Sequence, residues 1–408
     1  MTLIHGFFLF TSWELDTKML HPVYQGLSSR STLRSLNIRF PSTRHPRPIV
    51  IIPQIPQLTK LKVTNIDPLC YPDDISILLL NATNLQDLTL DWSPRLRQQL
   101  EPSVHLHAYF GKLISTGKML RLKRFTIRNL YALNFENFHG WCDLNFLEDI
   151  TMLGSEDNHA LNGVSSLFVD RRWHPPMPDK SLNLRKLRSD TPSRKQLDIL
   201  GRMNRLEELY LVTVDDAPAS TPSAVQVSTP SSTPSPTHSD VSLIMSSYVD
   251  CISTKHGASI RHLLLSRHWM LGQAELAQLV RCCPNLEQLG LALERNNFTL
   301  LKILLPFMSK LTAIRILEPV NDPTFRTVVE NDGCEKIENM SITLAQSEYR
   351  NLRWVGVGDM VFSCLGCYEI KDESNENGGM LQRRVVHRVT LDDVKHIDIW
   401  RMDGTDLF

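Results

Sequence analysis

Long apolar runs are missing from this chain. No stretch of about 18 apolar residues occurs among its 408, so no transmembrane helix is expected. An excess of one charge is missing too, since Lys plus Arg and Asp plus Glu each total 44. Neutrality argues against a whole-chain electrostatic footprint for nucleic acid or an anionic membrane. Cysteine is sparse at eight residues, too few for a disulfide scaffold. The apolar opening, Met1–Phe10, has neither the Lys or Arg of a signal n-region nor a small-residue cleavage site. An intracellular protein, cytoplasmic or nuclear, is the expectation. There is no Gly-rich phosphate loop ending in Lys-Ser/Thr, no His-Glu-x-x-His and no Gly-x-Ser-x-Gly. Gly356-x-Gly358 lacks the third glycine of a dinucleotide loop. No catalytic residue, cofactor or metal is expected, and the chain reads as a non-enzyme.

Leucine is what the chain has in excess, with 60 copies. A seven-residue phrase recurs: apolar, two variable, apolar, one variable, apolar. It begins at Leu33, Leu58, Leu85, Leu122, Leu147, Leu206, Ile260, Leu286, Leu311, Ile337, Leu352 and Val394, with a degenerate copy at Leu184. Many copies stand 25 to 27 residues apart, as in Leu33–Leu58–Leu85 and Ile260–Leu286–Leu311–Ile337. That period lies within the 20–29 residues of a leucine-rich repeat. The last two apolar residues of each phrase alternate, so they fall on one face of a short strand. One strand cannot bury that face alone, so neighbouring copies stack into a parallel sheet.

The intervening residues read as helices. Gln273–Cys283 carries Leu276, Leu279, Val280 and Cys283 on one face before Pro284. His105–Lys118 carries Leu106, Phe110, Leu113 and Ile114. Ser193 and Thr324 are candidate caps for two more helices. The fold class expected is α/β: a leucine-rich-repeat solenoid, with a curved parallel sheet inside, helices outside and a C-terminal β-hairpin-like cap.

Three departures set the organisation. Ala217–Ser239 holds five Pro, seven Ser and four Thr, a composition that cannot bury enough apolar surface to order itself. Leu85 to Leu122 and Leu147 to Leu184 each span 37 residues, implying insertions or a missed strand. Met360–Ile370 and Met380–Leu391 read as a hairpin joined by Lys371–Gly379. The expected layout is therefore an N-terminal segment 1–31, a solenoid half 32–214, a disordered Pro/Ser/Thr-rich loop 215–242, a second solenoid half 243–358 and a terminal β cap 359–408.

The phrase Cys283-Pro284-Asn285-Leu286-Glu287-Gln288-Leu289-Gly290-Leu291 resembles the cysteine-containing leucine-rich repeat typical of F-box proteins. The chain from Leu33 to Trp400 resembles the repeat region of fungal F-box and leucine-rich-repeat proteins. Asn351–Asp359 and Val394–Trp400 resemble that group's terminal segment. The resemblance implies a substrate receptor of an SCF-type ubiquitin ligase, whose F-box docks on the Skp adaptor of a cullin complex. Met1–Ser31 contains no such F-box, so Skp and cullin are expected partners only if one lies upstream.

Two cysteine and histidine pairs carry little. Cys364-x-x-Cys367 has no second ligand pair nearby. His105-x-His107 lies on an expected helix, where residues two apart do not face each other. Residues flanking the strand leucines point away from the core and line the inner wall of the solenoid. The partner-binding candidates there are Arg39, Lys60, Lys62, Asp87, Arg124, Arg128, Tyr210, His262, Arg315, Trp354 and Trp400. Exposed aromatics and Arg suit interface anchors, and the basic first half favours an acidic or phosphorylated partner. The function expected is non-enzymatic recognition of a protein partner on the concave face by a chain that is a monomer outside its complex. The alternative is a leucine-rich-repeat regulator of a GTPase or other enzyme, independent of ubiquitin.

Overall fold

Most of the phrases form strands. A computed structural model describes residues 26, 32–39, 54–66, 72–93, 106–129, 140–153, 182–190, 194–213, 238–294, 298–320, 341–371 and 380–404. They fall into two units, Met1–Leu184 and Arg185–Phe408. In both, the architecture is α/β with a mostly parallel, open sheet.

In the first unit, β1 (Ser35–Arg39), β2 (Lys60–Ile66), β3 (Asp87–Trp92), β4 (Arg124–Arg128) and β5 (Asp149–Leu153) pair in parallel, in sequence order. The register aligns equivalent phrase positions: Leu36, Leu61, Leu88, Phe125 and Ile150 form one row, and Ile38, Val63, Leu90, Ile127 and Met152 the next. Both rows are buried. The leading leucines Leu58, Leu85, Leu122 and Leu147 are buried behind the turn into each strand. Helices Pro72–Asn81 and Leu106–Thr116 cover this side. Phe110 of the second helix stacks on Trp141 at 3.7 Å between centroids, and Phe125 of β4 meets Trp141 edge-on at 5.3 Å. The leucine rows therefore face the helices.

The second unit repeats the plan. Strands β6 (Lys186–Ser189), β7 (Glu208–Leu211), β8 (His262–Leu264), β10 (Gln288–Leu293), β11 (Ala313–Ile316) and β12 (Trp354–Val357) are parallel. A two-residue β9 (Met270–Leu271) pairs with the far end of β10. Leu187, Leu209, Leu263, Leu289, Ile314 and Val355 form the shared buried row. Helices occupy Arg194–Leu200, His238–Cys251, Gln273–Cys282 and Phe298–Leu304.

One hydrogen-bond device recurs at the turns into most of the parallel strands. The carbonyl after the leading apolar residue accepts two consecutive backbone N–H groups from the next copy. Thr59 O accepts from Gln86 and Asp87, Gln86 O from Lys123 and Arg124, and Lys123 O from Glu148 and Asp149. In the second unit Glu207 O accepts from Arg261 and His262, Arg261 O from Glu287 and Gln288, and Glu287 O from Thr312 and Ala313. An asparagine before the leading leucine ties the same corner. The side chains of Asn84, Asn183, Asn285 and Asn351 donate to Pro56 O, Asn145 O, Ala258 O and Ser309 O at 3.3, 3.2, 2.7 and 2.6 Å. These bonds satisfy backbone groups that the turn would otherwise leave bare.

The C-terminal region departs from expectation twice. Val394-x-x-Ile397-x-Ile399 is not a strand: Leu391–Val394 is a 3₁₀ turn and Asp398–Arg401 a short helix. Its first two apolar residues are three apart, a spacing that suits a helical turn as well as the strand phrase. Thr390 and Asp393 close a capping box that selects the turn. Ile342, expected on a strand, lies in a helical turn, and β11 pairs directly with β12. The 15 residues from Ile337 to Leu352 therefore do not add a strand between β11 and β12.

The hairpin forms as read, with β13 (Met360–Lys371) antiparallel to both β12 and β14 (Met380–Val389). Gly358 adopts a φ of 57° in the two-residue turn from β12. A bulge falls between Cys364 and Cys367, and Arg384 fills it, donating to the carbonyls of Leu365, Tyr349, Arg350, Leu344 and Cys364.

The expected 215–242 loop is shortened, because the helix beginning at His238 claims its last five residues. Met245, Tyr248, Val249 and Ile252 are buried at helical spacing, and that helix extends back into polar sequence. The rest of the tract, both 37-residue insertions in part, Ser193 and the Thr324 helix lie outside the described residues.

Candidate functional site

Strand alternation sends the residues between the leucines to the face opposite the helices. In the first unit this face is polar and partly exposed. Lys60, Asp87, Arg124 and Asp149 stand side by side in register, with alternating sign. Asp87 sits 2.9 Å from Arg124 and 3.7 Å from Lys60. Arg128 lies 3.8 Å from Asp91, which also accepts a 3.2 Å hydrogen bond from the Asn129 amide. Burial pushes the Asp91 carboxyl up, against the pull of Arg128 and Asn129. Burial, helped by Lys60, pushes the Lys62 ammonium down. Arg39, Lys60 and Arg124 are exposed, Lys62 and Arg128 half-buried, and Asp87 buried at the base of its pair. The five basic candidates of this unit thus share one face, and Asp87 and Asp91 neutralise part of it.

The equivalent face of the second unit is covered. The segment after β14 folds back across it and lays helix Asp398–Arg401 over the strands. Tyr210 is fully buried and Trp400 is 9% exposed, so neither is the exposed anchor expected, and Trp400 sits on a helix rather than a strand. His262, Arg315 and Trp354 are half-buried under or beside the segment. Arg188 donates to Met402 O at 3.0 Å and also to Gly404 O. Arg315 donates to Ile399 O at 3.2 Å, pairs with Asp403 at 2.7 Å and lies over the Trp400 ring, its guanidinium carbon 5.9 Å from the centroid. Gln288 Oε1 accepts the Ile399 N–H at 3.1 Å. Trp354 meets the His396 ring edge-on at 5.5 Å.

A polar network forms beneath the helix. His262 Nδ1 lies 3.1 Å from Asp398 Oδ2 and 3.0 Å from the Tyr210 hydroxyl. That hydroxyl donates to Glu208 at 2.9 Å, so it receives, rather than gives, the proton shared with His262. Lys186 lies 3.0 Å from Glu208, and Arg401 lies 2.6 Å from Asp398. Burial and the Glu208 and Asp398 charges drive the Tyr210 phenol far up, so it stays neutral. Burial also pushes the Asp398 carboxyl up, but the His262 hydrogen bond and the charges of Arg401, His262 and Lys186 together hold it below its usual value.

Glu208, His262 and Asp398 each offer a ligand atom within 4.8 Å of the others, close enough to embrace a divalent ion. Lys186 and Arg401 already neutralise the two carboxylates. An ion would have to displace both, and the arrangement is that of an ion-pair network. Cys364 is buried, its thiol pushed up to about 11 by burial, whereas Cys367 is exposed across the bulge. The pair is not arranged as a ligand pair.

Sequence reasoning placed the strand residues but missed what covers them. Asp403, Met402 and Gly404 carried no periodic signal. The corner asparagines did carry one, as a recurring Asn-Leu pair at 84–85, 183–184, 285–286 and 351–352. No family model, curated protein or solved structure matches the chain. Among the described residues, no helix is long and apolar enough to cross a membrane.

Proposed function

We propose that this chain is a non-enzymatic protein-recognition scaffold of the leucine-rich-repeat type, a solenoid whose strand face opposite the helices receives a protein partner. The single observation that carries the reading is the polar face of the first unit's sheet, where Ser35, Lys60, Asp87, Arg124 and Asp149 stand in one register row and the exposed charged residues are Lys60, Arg124 and, further along the same face, Arg39. Each copy adds one variable side chain at a fixed spacing of roughly 4.8 Å, which suits an extended surface built by repetition. The regular carbonyl corner supports the repeat assignment. The partner is acidic, because the exposed charged side chains of that face, Arg39, Lys60 and Arg124, are basic. Substrate delivery to an SCF-type ligase is the cellular role that this architecture and the F-box-type phrases support together.

Affinity capture of the tagged full chain from lysate, read by mass spectrometry, tests this. Partner retention should fall at least tenfold in the double variant Lys60→Glu, Arg124→Glu. Co-recovery of a Skp adaptor and a cullin would mark the ligase role, and a GTPase without them would mark a regulator. A partner retained equally by the charge-reversed variant would remove this face from the account.

A further inference from the structure

The C-terminal segment of the second unit is held to the sheet through side chains. Backbone bonds within 390–404 are local: Asp393 to Thr390, Ile397 to Val394, Met402 to Asp398. Among the described residues, no backbone-to-backbone hydrogen bond joins this segment to the strands it covers. Polar ties run through side chains of the sheet, among them Arg188, His262, Gln288 and Arg315. The segment's main chain is bonded within its own helical turns, so its hold on the sheet rests on side-chain recognition and packing.

The chemistry of the two surfaces is complementary. The sheet supplies Arg188, Arg315 and His262. The segment supplies the carboxylates Asp398 and Asp403, the carbonyls of Ile399, Met402 and Gly404, and one large aromatic ring. The ring has a seat made for it, since a Cβ on Gly356 would stand 2.7 Å from Trp400 Cζ2. With the segment in place Arg188 is 2% exposed.

The fit is incomplete. Trp400 Nε1 and Arg315 Nε are both buried without a hydrogen-bond partner. Unmet buried donors cost stability, and a ligand that supplied an acceptor to Arg315 Nε, with an aromatic ring whose own donor is met, would bind this face better than the chain's own segment does.

We propose that the face of β6–β12 is a receptor for a short acidic segment carrying tryptophan, with the pattern Asp-x-Trp-x-x-Asp read from Asp398, Trp400 and Asp403. The chain's own residues 391–404 occupy it as an internal ligand. A protein partner bearing the same pattern binds there by displacing them. This goes beyond the recognition role proposed above and uses the equivalent face of the second unit, and its success or failure is separable from that role.

Two measurements on the full chain test it. In hydrogen exchange, amides of 394–403 should exchange by local opening at least a hundredfold faster than those of β8 and β10. Exchange of both sets together, only on global unfolding, would show the segment to be integral and overturn the proposal. In fluorescence anisotropy the probe is a labelled synthetic peptide of residues 391–404. The Asp398→Lys, Trp400→Ala full chain should bind it at least tenfold more tightly than the unaltered chain, because the internal competitor is weakened. Adding Arg315→Ala should remove that gain. If the double variant is folded and binds no more tightly than the unaltered chain, the proposal fails. If the double variant does not fold, the exchange result on the unaltered chain decides. Peptide binding as expected, with no acidic partner captured from lysate on the first unit, would sink the recognition role and leave this inference standing.

Discussion

Trp400 rests where the side chain of residue 356 would otherwise be. A Cβ on Gly356 would lie 2.7 Å from Trp400 Cζ2 and 3.2 Å from Arg315 Cγ. Gly356→Ala should push the indole off β12, at a cost of about 1–3 kcal/mol typical of overpacking. Urea unfolding monitored by tryptophan fluorescence checks this. An unchanged midpoint would mean that the ring moves aside freely.

Asp398 links the covered face to acid stability. Its carboxyl is held below the ordinary 3.8 by the His262 hydrogen bond and by Arg401 and Lys186, against the opposing push of burial. Glu208 and Tyr210 complete its surroundings. A carboxylate depressed in the fold binds its proton more readily once unfolded, so its stabilisation is full above pH 3.8 and is lost as pH falls through the lower folded value. Asp398→Asn should flatten that acid limb and cost on the order of 1.5–3 kcal/mol at pH 7. Thermal melts across pH 2–7 read both effects.

His256 gives a second, separate pH response. It is buried, its Nε2 donates to Leu200 O at 2.8 Å, and its Nδ1 has no partner. Burial lowers its pKa from 6.5, with Lys255 adding to the shift and the Leu200 carbonyl opposing it. A proton on Nδ1 would find no acceptor. The native state is therefore unpenalised above pH 6.5 and loses stability as pH falls from there through the folded value. His256→Gln should remove that decline while costing about 1 kcal/mol at pH 7.5 for an imperfect hydrogen bond. Parallel melts at pH 7.5, 6.5 and 5.5 make the comparison, and an identical slope in both proteins would refute it.

Arg384 anchors the bulge of the terminal hairpin. Its guanidinium serves five carbonyls around the bulge. Arg384→Met keeps the apolar stem and strands those carbonyls, so a loss on the order of 3 kcal/mol is expected. Arg384→Lys should not restore it, since one ammonium cannot reproduce a planar fork. Denaturation midpoints of the two variants settle the point.

How far the sequence disclosed this molecule can be judged from particular residues. The rows running through Leu61 and Leu88, and through Leu209, Leu263 and Leu289, were legible because strand burial has period two and each copy must bury the same positions. Lys60 and Arg124 were placed on the correct face for the same reason. Val394, Ile397 and Ile399 misled because a phrase of apolar residues does not say which backbone period it serves, and the Thr390–Asp393 capping box was the finer signal. Tyr210 and Trp400 were read as exposed because solenoid logic leaves that face bare. Nothing local in β7 announces a segment arriving from nearly 200 residues away.

The doubly accepting carbonyl at each corner has a consequence for variation in this chain. Because it draws on two adjacent peptide N–H groups of the following copy, neither of those positions tolerates proline. The return path makes no such demand. Lengthening or shortening it leaves the clasp intact, so segments can be spliced between copies without disturbing the alignment of one rung with the next.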